Sequence, residues 1–336
     1  MRGRAAASVA VLALSAAVGC STGANSPGAG GTIIMSVAVA APANAPIFLA
    51  DELGYFKDEG LNVKVQTIAN ASLQLATGKI QYGAVNTTTV IPAVTQDIKL
   101  EEVCVTQVDP SYMLAVSDKA WERNDMSDSM SLKEMLTALK GEKLTAIGGR
   151  TVNPGAKLLE SLLTKEGLPT DSIGILSQAS SAASTAAFKN GQVGLVFQPQ
   201  PVPDQVLSEV PGRIIFNTAD SPLFSELDGT AWSGIGASTA YATDHPDITK
   251  KVCSAIGKAN NYLDSHPEDA AKTLQKDMSS FDLDVLAKSM GTYQWAKDAA
   301  MTEEEFAKSV QVLAGLGMFD QPSADVVKKA YTADFQ

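Results

Sequence analysis

Residues 41–65, APANAPIFLADELGYFKDEGLNVKV, read as a helix set between two strands. Upstream, residues 33–39 (IIMSVAV) form a continuous apolar run of strand length. Downstream, Leu61, Val63 and Val65 alternate with Asn62 and Lys64, the pattern of a strand with one covered face. Strand, helix and strand in that order predict a parallel crossover. Asn44 stands where an N-cap is needed and Pro46 near the first helical position, so the turn combines small side chains with free N–H groups. Such a turn can seat a ligand at a helix N-terminus. Gly54 is placed to end the helix in a left-handed conformation, after which Tyr55 and Phe56 fold back as an apolar plug.

The chain repeats this alternation outward from the opening unit. Residues 71–77 read as a short helix ended by Gly78, and residues 82–85 as a buried strand running into Asn86-Thr87-Thr88-Thr89, a second helix start. Strands follow at 103–108 and 112–116. The polar stretch 117–130, SDKAWERNDMSDSM, breaks the pattern and marks a candidate domain boundary. Alternation then begins afresh. Ser131 and Glu134 have capping-box spacing, strand 144–147 empties into a loop holding Arg150 and Thr151, and a helix covers 155–166. Strand 173–176 leads to Ser177 and Gln178, and strand 193–197 to Gln198-Pro199-Gln200-Pro201, too rich in proline to stay in a sheet. Residues 229–238, GTAWSGIGAS, read as a return strand, and from Tyr241 the chain is helical almost to its end.

At 336 residues, 45% apolar and 19% charged, the chain can bury a large core and is long enough for two domains. The net charge of −11 and the absence of any basic stripe argue against nucleic acid, whose phosphates need clustered Lys and Arg. Residues 1–19 carry Arg2 and Arg4 ahead of a short apolar stretch, the layout of a secretory signal. Ala17-Val18-Gly19-Cys20 resembles a bacterial lipobox, which implies cleavage before Cys20 and a lipid on its sulfur. Residues 20–31 are then a flexible Ser/Gly/Pro/Asn tether, and the folded part starts near Thr32. Cys104 and Cys253 remain. An exported location permits them to pair, and a disulfide is expected ahead of two buried thiols.

Nothing in the sequence assembles an enzyme or a metal or cofactor site. The two histidines, His245 and His266, each precede a proline at a helix start, where a capping role suffices. No nucleophile elbow or phosphate loop occurs, and Gly234-Ile235-Gly236 lacks the third glycine of a dinucleotide fingerprint.

The wording of residues 41–65 closely resembles the opening of bacterial ABC-transporter substrate-binding proteins of the nitrate/sulfonate/taurine and thiamine-precursor group. Residues 256–274, with His266-Pro267-Glu268, are similar to a second phrase common in these proteins. Gln81 and Gly194 stand where the group often has an acidic residue. The resemblance implies an α/β, type II periplasmic-binding-protein fold: two α/β lobes joined by two crossing strands, near 112–116 and 229–237, with a helical C-terminal tail packed on lobe 1. Lobe 1 would take residues 32–115, lobe 2 residues 116–229, and residues 230–336 would complete lobe 1.

Ligands of open α/β sheets sit beyond the carboxyl ends of the strands. The candidates are therefore Asn44, Asn70, Ser72, Asn86, Thr87 and Thr88 from lobe 1, and Arg150, Thr151, Ser177, Gln178, Gln198 and Gln200 from lobe 2. Each also serves equally as a cap or turn former. Arg150, the single basic residue in these loops, points to an anion such as a sulfonate or carboxylate, while Tyr112, Phe197 and Trp232 would cover an apolar part or pack in the core. The resemblance implies a monomeric, lipid-anchored, extracytoplasmic receptor that delivers a small solute to an ABC permease. Alternatives are a pyrimidine-binding protein, an anchored sensing domain, and a synthase of the thiamine-pyrimidine branch. That synthase uses pyridoxal phosphate and consumes a histidine, and none lies in the predicted cleft loops.

Overall fold

The computed structural model describes residues 31–68, 71–147, 149, 153–178 and 181–336. Its opening unit is the expected crossover. β1 (Thr32–Val37) pairs in parallel with β2 (Asn62–Thr67), with Thr32 opposite Asn62 and Val37 opposite Thr67. Between them run α1 (Ala45–Glu52) and α2 (Tyr55–Asp58). Gly54 separates the two helices at φ +77°, a conformation that costs a glycine little, and this bend lets Phe56 turn back into the core, where it is 1% exposed. The apolar plug is thus one turn of helix. Asn44 occupies the N-cap position of α1 without capping it: its Nδ2 donates to the Val39 carbonyl at 2.9 Å and ties the loop to itself.

The first sheet is completed by α3 (Ala71–Ala76), β3 (Tyr82–Asn86), α4 (Thr87–Thr95) and β4 (Leu100–Val108). The second is built from β5 (Tyr112–Ser117), β6 (Lys143–Ile147), β7 (Gly174–Gln178), β8 (Leu195–Pro199) and β9 (Gly212–Asn217). Its helices are α5 (Asp118–Arg123), α6 (Leu132–Ala138), α7 (Pro154–Lys165), α8 (Ser181–Lys189) and α9 (Val202–Glu209). The return strand β10 (Ala231–Ser238) lies between β3 and β4, antiparallel to both. After α10 (Thr239–Asp244), α11 (Pro246–Ser265), α12 (Pro267–Leu274) and α13 (Leu283–Thr292), the short β11 (Gln294–Trp295) adds to β4. The chain finishes with α14 (Glu303–Gly315) and α15 (Ala324–Ala330). The sheet orders are β11-β4-β10-β3-β1-β2 and β7-β6-β8-β5-β9.

Three points of the sequence reading change. β5 lies wholly in the second sheet and β10 wholly in the first, so the crossings are the short segments 109–111 and 218–230 rather than the strands themselves. The edge strand β9 went unread because its apolar run, Ile214, Ile215 and Phe216, is only three residues long, shorter than the runs that mark a buried strand. The tail does not pack on lobe 1 alone. Phe306 and Val310 of α14 join the first lobe's core, whereas Leu313 joins the second's, so this helix bridges both.

Each lobe has its own core. In the first, the amphipathic α11 lays Val252, Ile256, Ala259 and Leu263 against α1, α2 and the sheet, beside Met35, Tyr82 and Ile235. Burying side chains of this size contributes about 1.5–3 kcal/mol each. Asn260 is the polar exception: its Nδ2 donates to the carbonyls of Thr106 (3.0 Å) and Ala296 (2.7 Å), fixing the segment after β11 against β4. The second core centres on Leu114, Leu158, Leu159, Leu162, Leu195 and Phe197.

Cys104 and Cys253 meet in the first core as free, buried thiols. The expected disulfide is absent, and Cys253 Sγ instead donates to the Val103 carbonyl at 3.3 Å. Burial pushes the Cys104 thiol pKa upward, and the neighbouring Cys253 adds to the shift. Residues 1–19, Cys20 and the tether lie outside the described residues, apart from Gly31.

Candidate functional site

β1 and β3 of the first sheet both end at the same side of the lobe, and each leads into a helix: β1 into α1 through the loop 38–44 that closes on Asn44, and β3 directly into α4 after Asn86. Two helix N-termini therefore open onto one place, each carrying unsatisfied N–H groups and the positive end of a helix dipole. Opposite them lie the crossing residues Pro110 and Ser111, Tyr112 at the start of β5, and Pro199 at the end of β8. Between these walls is a cavity of about 180 Å³. Larger concavities exist, such as a surface groove of about 410 Å³ between α14 and α15. The smaller cavity is the candidate because two helix starts and groups from both lobes converge on it.

The wall is polar without being charged. Asn44, Asn86, Gln107, Ser111 and Ser233 supply amides and hydroxyls, Tyr112, Trp232 and Tyr293 supply rings, and among the described residues it includes no Lys, Arg, Asp or Glu. The Tyr112 ring meets Trp232 edge-on at 5.7 Å and Phe197 at 6.1 Å, which holds the floor rigid from the core side. Burial raises the phenol pKa of both Tyr112 and Tyr293, keeping them neutral.

Tyr293 also joins the two lobes: its hydroxyl donates to the Gln200 carbonyl, just past β8. A second link lies farther along the same side, where Lys288 Nζ of α13 meets Asp204 Oδ1 of α9 at 2.8 Å.

The candidates from sequence separate clearly in this frame. Asn44 and Asn86 stand in the wall, as do Tyr112 and Trp232. Thr87 is fully buried and turns away from the cavity, its Oγ1 donating to Glu102 Oε2 at 3.2 Å. Thr88 is half-buried in the first turn of α4 and Ser72 is exposed on α3, and neither lines the cavity. Ser177, Gln178, Gln198 and Gln200 are likewise outside the wall. Gln200 is 2% exposed and spends its Nε2 on Met113 Sδ at 3.0 Å, while Gln198 keeps a buried Nε2 with no partner. Phe197 is pure core. Asn70, Arg150 and Thr151 lie outside the described residues.

Sequence reasoning missed Gln107, Ser111, Ser233 and Tyr293. The first three sit at strand ends and crossings, where a polar residue beside an apolar run was the available signal. Tyr293 was hidden in the tail, although Gly291-Thr292 just before it marks a helix end.

Residues 41–270 match the family described as NMT1/THI5 like. The chain belongs to this family. YtlA of Bacillus subtilis (strain 168) is 24% identical over 275 residues, covering 78% of this chain and 76% of that protein. Among solved structures, the alkanesulfonate-binding protein SsuA from Xanthomonas axonopodis pv. citri superposes with a TM-score of 0.66 at 17% identity, over 90% of this chain and 98% of its own. The aliphatic sulphonate binding protein SsuA from Escherichia coli gives 0.68 at 17%, over 90% and 92%. The nitrate-binding protein NrtA from Synechocystis PCC 6803 gives 0.66 at 15%, over 90% and 86%. At these identities the likeness establishes the fold, a two-lobed periplasmic-binding-protein architecture.

Proposed function

We propose that this chain is the non-enzymatic, extracytoplasmic solute-binding component of an ABC-type importer, holding one small solute between its lobes for the permease. The observation that carries the reading is the convergence of two helix N-termini on a cavity also walled by the first interlobe crossing, at Pro110 and Ser111, and by the lobe 2 strand ends at Tyr112 and Pro199. A solute there touches both lobes at once, so binding favours the closed arrangement by the difference in its contacts with the two forms. The family, and relatives whose names state sulfonate or nitrate binding, support the same class.

The solute is read as a small anion, a sulfonate or carboxylate. Paired helix N-termini favour negative charge, and Arg150 with Thr151 would reach it from lobe 2. Asn44 and Asn86 are its assigned partners in lobe 1. One observation favours a second reading: a wall with amides and rings but no charge among the described residues also suits an uncharged planar solute such as a pyrimidine. Residues 1–19 are assigned as the export signal, Cys20 as the lipid attachment point and residues 20–31 as the tether, with the protein acting as a monomer at the outer face of the cytoplasmic membrane.

A thermal-shift screen against sulfonates, carboxylates, nitrate and pyrimidines tests this function. A solute at a thousand times its Kd adds about 4 kcal/mol and raises the melting temperature accordingly. An anionic hit abolished by Arg150→Ala supports the anion reading, and a pyrimidine hit indifferent to that change supports the second. No shift with any member counts against a solute receptor.

A further inference from the structure

Close to the cavity wall lies a carboxyl group that no cation accompanies among the described residues. Glu102 of β4 is fully buried, its Oε2 accepting from Thr87 Oγ1 at 3.2 Å and its Oε1 without a partner. Two contacts place it at the site. Thr87 is the first residue of α4, directly after Asn86 of the wall. Gly234 also belongs to the wall, and a Cβ there would collide with Glu102 Oε1. The Gly234 backbone therefore borders the cavity and also lies against Glu102 Oε1, beside the α4 helix start.

The groups that surround Glu102 leave its charge uncompensated. α4 offers the Thr87 hydroxyl, and β4 offers Cys104, with Cys253 of α11 behind it. The C-terminal segment contributes the Tyr331 phenol, whose backbone bridges to Glu102, while the adjacent Glu101 interacts with Asp334 instead. Among the described residues no Lys, Arg or His acts on it. Burial raises its pKa to about 8, so near neutral pH the carboxyl holds its proton.

We propose that Glu102 determines the charge of the solute accepted at the α4 N-terminus: protonated, it leaves the helix end free for an anion, and ionised, it opposes one. This inference rests on the anion reading above. By linkage, an anion in the cavity makes the proton on Glu102 harder to remove, so above about pH 8 binding is accompanied by proton uptake from solvent and affinity falls as pH rises.

Calorimetric titration of the whole protein with ethanesulfonate and with nitrate, both ionised throughout the range, reads this directly. Affinity at about pH 9.5 should be at least about fivefold lower than at about pH 7, the lower end of usual coupling strengths. Titrations near pH 8.5 in two buffers of different protonation enthalpy should show uptake of up to one proton per anion. Glu102→Gln, neutral at every pH, should bind equally at both ends and show no uptake. The proposal is overturned if the unmutated protein binds these anions with equal affinity at both pH values and without proton uptake, or if Glu102→Gln keeps the full pH dependence. Should that variant fail to fold, proton uptake by the unmutated protein decides alone. If neither anion binds at any pH while an uncharged pyrimidine does, the anion reading itself has failed, and this proposal with it.

Discussion

Replacing Tyr293 with Phe removes one hydroxyl and leaves the ring in the cavity wall, which isolates one of the direct links between the lobes. In the structure that hydroxyl is buried and donates to the Gln200 carbonyl across the lobe boundary. A hydrogen bond of this kind contributes about 0.5–1.5 kcal/mol net, and leaving a buried carbonyl unpaired costs about 1–3 kcal/mol. When the lobes part, water reaches both groups. The penalty therefore falls on the closed form alone, and a loss of about 1.5 kcal/mol shifts the open–closed balance roughly tenfold.

Binding that requires closure should weaken by the same factor. The assay pairs calorimetry of Tyr293→Phe, using the best solute from the screen, with small-angle scattering of the ligand-free protein. Weaker binding and a larger mean radius should appear together, with only a few degrees of change in melting temperature. Unchanged affinity and radius, or a loss confined to global unfolding, would refute the assignment of this bond to lobe closure.

Three further outcomes follow from the same geometry. Trp232→Ala empties a nearly closed site against Tyr112 and should cost about 3–5 kcal/mol, read by denaturant unfolding; a loss below about 1 kcal/mol would mean that the floor is not packed as described. Burial lifts the carboxyl pKa of Glu101 to about 7 and of Glu102 to about 8, above the ordinary 4.5, so the folded protein holds protons there that the unfolded chain releases. Stability is then greatest below about pH 4.5 as far as these two groups decide it, and is lost as pH rises through about 8, by up to about 5 kcal/mol for Glu102. Melting curves between about pH 6 and pH 9 should fall, and should flatten in Glu102→Gln; an equally steep fall in that variant would contradict the assignment. Cys104 and Cys253, buried and unpaired, should ignore a disulfide reagent in the native protein and release two thiols in denaturant, whereas two missing thiols under denaturing, non-reducing conditions would show them bridged.

How much of this was legible in the sequence depended on where local chemistry alone decides structure. The crossover of residues 41–65 was readable because strand alternation, a helix-starting turn and Gly54 all agree. The same holds for the Ser131 capping box, where Glu134 Oε2 accepts from the Ser131 backbone N–H at 2.8 Å. β9 and the true crossings depended on pairing between distant segments, which periodicity does not encode. Asn86-Thr87-Thr88 was recognised as a helix start, yet only the register of β3, β4 and β10 decides that Asn86 faces the cavity and Thr87 faces Glu102. Glu102 itself, inside LEEVCVTQV, had no local signal of its burial. Tyr293 needed the tail to return and pair β11 with β4 before it could reach Gln200.

The central claim, one small solute held where α1 and α4 begin, is tested most directly by titrating the screened solutes into the protein and into Asn86→Trp. That substitution places a large ring at an exposed wall position. The account predicts one solute per chain in the unmutated protein and none in a variant that still melts cooperatively. A solute bound with equal affinity and stoichiometry by both proteins would contradict it, because the binding site would then lie elsewhere on the molecule.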